Sequence, residues 1–210
     1  MKWENSFLAS VPGLSQWLPA TAVVAVLVFM LREFLEWRRR RAADARKLRA
    51  IQKVLARECE LNHWRIDQLL KALTDMREVG VQEDATRVSF IESASGGFVV
   101  TITSRDGRSS RGGMLLRIQK DVLSKHLVEI AALSEKLSPL CESALDALAE
   151  AEHVFNSLVY GPDAHFPSTR ENYFDGLIDY GIEELNESAL AVKRLYFSCT
   201  GHELIRGRLR

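Results

Sequence analysis

The stretch TAVVAVLVFMLREFLEWRRRR, residues 21–41, decides how the rest of the chain is organised. It contains the end of a run of 27 uncharged residues, 5–31, and it closes on four consecutive arginines, Arg38, Arg39, Arg40 and Arg41. A secretion signal carries its positive charge before the apolar segment, whereas here the positive charge follows it. This order predicts an uncleaved membrane anchor.

Two tryptophans mark the ends of the predicted span. Trp17 and Trp37 are 20 residues apart, about 30 Å along a helix, which matches the spacing of the aromatic belts of a bilayer. We therefore expect a transmembrane helix over 17–37, after a short non-cytoplasmic tail over 1–16. Because the arginines lie on its C-terminal side, the positive-inside rule places the N-terminus outside and the remaining domain in the cytoplasm. The sequence predicts a single-pass protein of the bacterial inner membrane, with both tryptophans and Arg38 to Arg41 at its interfaces.

Charge is segregated along a chain whose formal net charge is zero. Residues 32–120 carry 19 basic and 12 acidic side chains, residues 121–192 carry 3 and 14, and residues 193–210 carry 5 and 1. An acidic block of this size either packs against the basic part of the chain or holds a basic partner. Topology and contact with anionic lipid explain the basic cluster after the span, so no nucleic-acid partner is expected.

A basic juxtamembrane stalk helix is predicted over 38–79. Its apolar residues recur at steps of three and four and make one helical stripe: Leu48, Ile51, Leu55, Cys59, Ile66, Leu69, Leu73 and Met76. Asn62 lies within this stripe, with Glu58 one turn earlier, and a polar residue on a coiled-coil seam can fix register or oligomeric state. Glu58 and Asn62 are therefore candidates for an oligomer seam. Alternatively, Asn62 lies at the edge of the stripe and meets water.

A β-rich insert is predicted over 80–113. Two runs, 88–91 and 98–103, are rich in β-branched and aromatic residues and are separated by glycines. The second run alternates as a half-buried strand should, and a third short strand through residues 109 and 110 would complete a small meander. So small a sheet needs helices to pack against.

The helical pattern returns at Met114, and we expect an acidic helical bundle over 114–200 and a basic tail over 201–210. Ser138 and Pro139 suit the N-cap and the first position of a new helix. The predicted fold class is mainly α: an N-terminal transmembrane helix continues into a cytoplasmic antiparallel bundle with a small β-hairpin or meander insert.

The segment RECELNH, residues 57–63, resembles the loosely spaced arginine–histidine signature of HEPN-domain ribonucleases, which are also small helical bundles. The resemblance implies that Arg57 and His63 serve a metal-independent RNA cleavage, with the histidine in acid–base catalysis. The two residues are about 240° apart around a helix, so they share a face only if the helix is distorted. This hypothesis would make the chain a membrane-tethered effector, toxin-like or defence-related.

The segment SRDGRSSRGG, residues 104–113, places Arg105, Arg108 and Arg111 at three-residue steps among serines and glycines. Guanidinium groups and free backbone N–H groups suit the phosphate of a lipid or a nucleotide. The segment is therefore either a phosphate sensor or a solvated loop whose arginines keep it soluble.

The histidines and cysteines show no metal-binding spacing, and no phosphate-binding glycine loop or dinucleotide fingerprint is present. We therefore expect neither metal nor cofactor, and three free thiols in a reducing compartment. The leading hypothesis is an inner-membrane anchor, adaptor or sensor whose cytoplasmic domain binds a protein partner or a second copy of itself. The ribonuclease effector and the anionic-lipid or nucleotide sensor are its alternatives.

Overall fold

The structure is a computed structural model of the chain and describes residues 20–79, 87–94, 96–103, 110–161 and 167–205. Within these residues the order of elements is α1 (Ala20–Val79), β1 (Arg87–Glu92), β2 (Phe98–Thr103), β3 (Ser110–Leu115), α2 (Asp121–Leu133), α3 (Ser138–Tyr160) and α4 (Pro167–Thr200). The prediction of a mainly helical fold with a small antiparallel sheet is confirmed. The chain divides into two compact units, Met1–Lys47 and Leu48–Arg210.

In the first unit, apolar side chains are exposed on every side of the helix. Eight of them between positions 23 and 31 are 51–63% exposed: Val23, Val24, Val26, Leu27, Val28, Phe29, Met30 and Leu31. Because successive helical residues point 100° apart, such a run surrounds the helix completely. None of the helices formed by the described residues is long and apolar enough to cross a membrane. The predicted span begins at Trp17, which lies outside the described residues.

In the second unit, three antiparallel strands form a sheet in the order β1-β2-β3. Phe98, Val100 and Ile102 of β2 are buried, whereas Val99 between them is exposed, as the pleat requires. Phe98 packs edge-on against Phe155 of α3, with 6.0 Å between ring centroids. The sheet therefore lays one face on the helices, and the two predicted strand runs are confirmed.

One buried cluster joins the strands of this unit to its helices. The predicted stripe of α1 is buried in the cluster from Ile51 to Met76. Gly181 lies where α4 meets two other helices: a Cβ atom there would be 2.8 Å from Leu73 Cδ1 of α1 and 2.9 Å from Val154 Cγ1 of α3. The missing side chain is what allows the three helices to approach so closely.

Two helix starts differ from the sequence prediction. The helical pattern predicts a helix from Met114, but β3 continues to Leu115 and α2 begins only at Asp121. Leu115 is buried while Met114 faces outward, which is the alternation of a strand. Ser138, predicted as an N-cap, is instead the first residue of α3, and its hydroxyl donates to Glu142 Oε1 at 2.9 Å.

Candidate functional site

Four polar side chains of α1, between residues 58 and 65, are buried in the second unit. Glu58, Asn62, His63 and Arg65 are each at most 9% exposed, and we call them the buried polar cluster. Burying amides and charges is unfavourable unless they are hydrogen-bonded. Their partners therefore indicate what the cluster does.

Glu58 caps helix α2 from a distant part of the chain. Its Oε1 accepts the backbone N–H of Val122 at 3.0 Å, and its Oε2 accepts that of Leu123 at 2.9 Å. A side chain at the N-cap position usually satisfies such first-turn amides, but Lys120 at that position provides no cap hydrogen bond. Burial raises the pKa of the Glu58 carboxyl above its ordinary value, against the opposing effect of the two amide bonds.

Asn62 holds the backbone just before the same helix. Its Oδ1 accepts the N–H of Gln119 at 3.0 Å, and its Nδ2 donates to the carbonyl of Gln119. Arg65 donates from Nη1 to the same Oδ1 at 3.1 Å. Burial lowers the pKa of the Arg65 guanidinium, while the charge of Glu58 raises it. Glu58 and Asn62 thus satisfy backbone groups of Gln119, Val122 and Leu123 and fix the start of α2 on α1.

This geometry corrects the position predicted for the seam residues. Glu58 and Asn62 bond to the backbone of their own chain, and Asn62 is fully buried and does not lie at a solvent-exposed edge of the stripe. The register that they fix is therefore that of α2 on α1. Association between copies of the chain stays a prediction and would have to use other residues, because these two are inaccessible to a partner.

The structure places Arg57 and His63 in different environments. Arg57 is exposed, and its Nη1 lies 2.8 Å from Glu60 Oε2. His63 is buried, and its Nδ1 lies 3.7 Å from Asp67 Oδ2. The two side chains are not brought to one accessible face where RNA could meet both. The ribonuclease hypothesis stays a prediction, and this placement does not support it.

Of the three arginines predicted to bind phosphate, Arg105 and Arg108 lie outside the described residues. Arg111 lies in β3, and its Nη1 donates to Glu78 Oε2 at 2.8 Å and to Asp75 Oδ1 at 3.1 Å. These hydrogen bonds raise the pKa of Arg111. Arg111 therefore ties the sheet to α1, and a phosphate would have to compete with both carboxylates for it.

Aromatic rings and guanidinium groups contact one another in the first unit. The Cζ atom of Arg41 lies 4.3 Å from the centroid of the Trp37 ring, within cation–π range. The Cζ atom of Arg38 lies 6.0 Å from the centroid of Phe34. All four arginines from Arg38 to Arg41 are exposed, so their charge is available to the surroundings.

The three cysteines are free thiols, with Cys59 and Cys141 buried and Cys199 partly buried. Burial raises the pKa of Cys141 to about 12 and that of Cys199 to about 11. Such thiols pack as small apolar groups. Over the described ranges, no group of three or more His, Cys, Asp or Glu side chains is arranged to hold a metal ion.

An apolar groove near the C-terminal end of α4 was not predicted from the sequence. Its volume is about 720 Å³, and its lining includes Leu140, Leu190, Lys193, Arg194, Phe197 and Leu204. The sequence signal was present, since Leu190 and Phe197 are two helical turns apart and share a face. It was hidden by the stronger stripe through Val192 and Leu195, both of which are buried in the core.

No protein family, no curated protein and no solved structure matches this chain.

Proposed function

We propose that the chain is a single-pass inner-membrane adaptor, anchored by a transmembrane helix over 17–37 and carrying a cytoplasmic helical domain that binds a protein partner. The observation that carries this proposal is the apolar surface of α1 between Val23 and Leu31, more than half exposed on every side. A helix that is apolar all round is normally buried. Exposed apolar surface of this kind marks a contact with a membrane or a protein.

The residues on either side of this apolar surface indicate that it contacts a bilayer. Upstream, the uncharged run over 5–31 supplies 27 residues, more than the roughly 20 that a span requires. Downstream, Trp37 stacks with Phe34 at 5.9 Å between ring centroids, as in an interfacial aromatic belt. The guanidinium of Arg41 lies over the same tryptophan, a position from which it can reach lipid headgroups. The positive charge on this side supports a cytoplasmic location for the second unit.

The charge distribution supports a role in binding a protein. Residues 121–192 have a net charge of −11, from 3 basic and 14 acidic side chains, and residues 193–210 have a net charge of +4, from 5 and 1. Segregated charge steers association and selects among partners. An adaptor needs an anchor and a selective surface, and this chain offers both.

Membrane residence is tested by alkaline carbonate extraction of cells that express the full chain. We expect the wild type to stay in the membrane pellet. Val24→Lys combined with Val28→Lys places two charges near the centre of the proposed span, where each costs about 2.5–3.5 kcal/mol. The pair should therefore move most of the chain into the supernatant.

The matched control is Val99→Lys combined with Val128→Lys. These valines are also exposed, on β2 and α2 of the second unit, so the same two charges should leave the chain in the pellet. If carbonate extracts the wild type, or releases both double variants equally, the proposal of a transmembrane anchor over 17–37 is wrong.

A further inference from the structure

We propose that the groove at the C-terminal end of α4, the α4 groove, binds an acidic amphipathic helix of a partner protein. This inference rests on the adaptor function proposed above and specifies the chemistry of its partner. The residues that carry it are Leu190, Lys193, Arg194 and Phe197 of α4, with Leu140 of α3 and Leu204.

The shape of the α4 groove suits a helix. Leu190 is 52% exposed and Phe197 is 55% exposed, and they lie about 10 Å apart along α4. A partner helix laid beside them would offer apolar side chains at the same i, i+3, i+7 spacing, which is the usual helix-in-groove mode. Because both side chains keep half their surface exposed, the groove is open and unlike an enclosed small-molecule pocket.

One wall of the groove is built by the way α4 ends. Gly201 has φ +74° and donates its N–H to the carbonyl of Phe197 at 2.7 Å, which is a left-handed glycine end to a helix. The chain then brings Leu204 to the groove, with Leu140 of α3 also in the lining. The apolar floor is thus assembled from three separate segments and is concave.

The rim of the groove is basic. Lys193 and Arg194 line it, and neither makes an ion pair with a described residue. Glu203 is the acidic residue of the lining. Positive potential selects a negatively charged partner, so the helix that fits carries acidic side chains beside its apolar row. A bilayer surface would match the charge but, being flat, would not fill a concave floor.

The probe is a fluorescein-labelled synthetic helix of about 18 residues, five turns, with leucines on one face and glutamates on both flanks. Its fluorescence anisotropy is titrated with the full chain in nanodiscs of uncharged phosphatidylcholine. We expect saturable binding to the wild type. Lys193→Glu combined with Arg194→Glu should weaken binding about tenfold or more. A peptide with lysines in place of the glutamates should prefer this reversed variant.

Apolar contacts are tested in the same titration. Phe197→Ala should weaken binding about tenfold, whereas Val128→Ala, at an 83% exposed position of α2, should leave it unchanged. Circular dichroism of each variant verifies that the helical content is retained. Equal affinity of the wild type and the charge-reversed variant, or equal loss with Val128→Ala, overturns the inference.

A third outcome assigns the groove to lipid. If the full chain in phosphatidylcholine nanodiscs ignores the acidic peptide but binds phosphatidylglycerol vesicles through Lys193 and Arg194, the inference is overturned in favour of an anionic membrane surface. Carbonate extraction tests the membrane anchor independently of peptide binding. If the chain stays in the pellet but does not bind the peptide, the proposed groove partner is wrong and the proposed anchor stands.

Discussion

Among single residues, Asn62 is fully buried and makes three side-chain hydrogen bonds. We expect Asn62→Ala to lower the free energy of unfolding by about 2–4 kcal/mol, because the fully buried amide would no longer bond to the N–H and C=O of Gln119 and to Nη1 of the buried Arg65. Urea unfolding of the full chain in detergent micelles, followed by circular dichroism, measures the change.

The matched control is Asn186→Ala in α4. Asn186 is exposed, and its Nδ2 donates to the carbonyl of Ile182 in its own helix at 2.7 Å. Its replacement should change the free energy of unfolding by no more than about 0.5 kcal/mol. Similar losses for the two variants would contradict the role assigned to Asn62.

Glu58 gives stability a pH dependence of known sign. Burial raises its pKa in the folded chain above the ordinary value of 4.5, so the folded state binds the proton more tightly than the unfolded state. The stabilisation that protonated Glu58 gives the folded state is fully present below pH 4.5, the ordinary pKa. It is lost as pH rises through the folded-state pKa. We therefore expect the stability of the wild type relative to Glu58→Gln to fall as pH rises from about 4 to about 8. A difference that is constant across this range in urea unfolding would refute the assignment.

At the scale of elements, the close approach of α1, α3 and α4 depends on Gly181. Gly181→Ala gains up to about 1 kcal/mol of helix propensity, but its methyl would lie 2.9 Å from Val154 Cγ1 and 2.8 Å from Leu73 Cδ1. Both neighbours are fully buried, and overpacking of this kind costs about 1–3 kcal/mol. We expect a net destabilisation in thermal unfolding of the full chain.

Gly176→Ala, five residues earlier in the same helix, should have the opposite effect. A Cβ atom at Gly176 meets nothing within 4 Å, so only the helix propensity remains, about 0.5–1 kcal/mol in favour of the variant. Opposite signs at the two glycines would confirm that packing, and not the backbone of α4, sets the requirement. Stabilisation by both substitutions would contradict it.

The elements that the sequence predicts well are those with a local cause. The stripe from Ile51 to Met76 and the alternation in β2 appear in the sequence because period and burial coincide. The start of α2 could not be predicted from the local sequence, because the side chain that caps it is Glu58, 64 residues before Val122. The α4 groove was missed for a related reason, since only the packing of α3 and of Leu204 against α4 turns an exposed pair of side chains into a concave surface.

At the scale of the whole molecule, the unit Leu48–Arg210 has one buried cluster with contributions from its helices and its sheet. No helix of this unit has a separate core of its own among the described residues. Substitutions as far apart in sequence as Asn62 and Gly181 therefore act on the same cooperative transition, and their effects can be compared on one scale.

The buried thiols also make the natural chain a convenient background for chemical labelling. Only a thiolate reacts readily with a maleimide, and a pKa of about 11 at Cys199 or about 12 at Cys141 leaves almost none near neutral pH. A cysteine introduced at an exposed serine, such as Ser143 of α3, would react well before the native three. The sidedness of any chosen position can thus be mapped with an impermeant reagent on intact cells, without first removing the cysteines that fill the core.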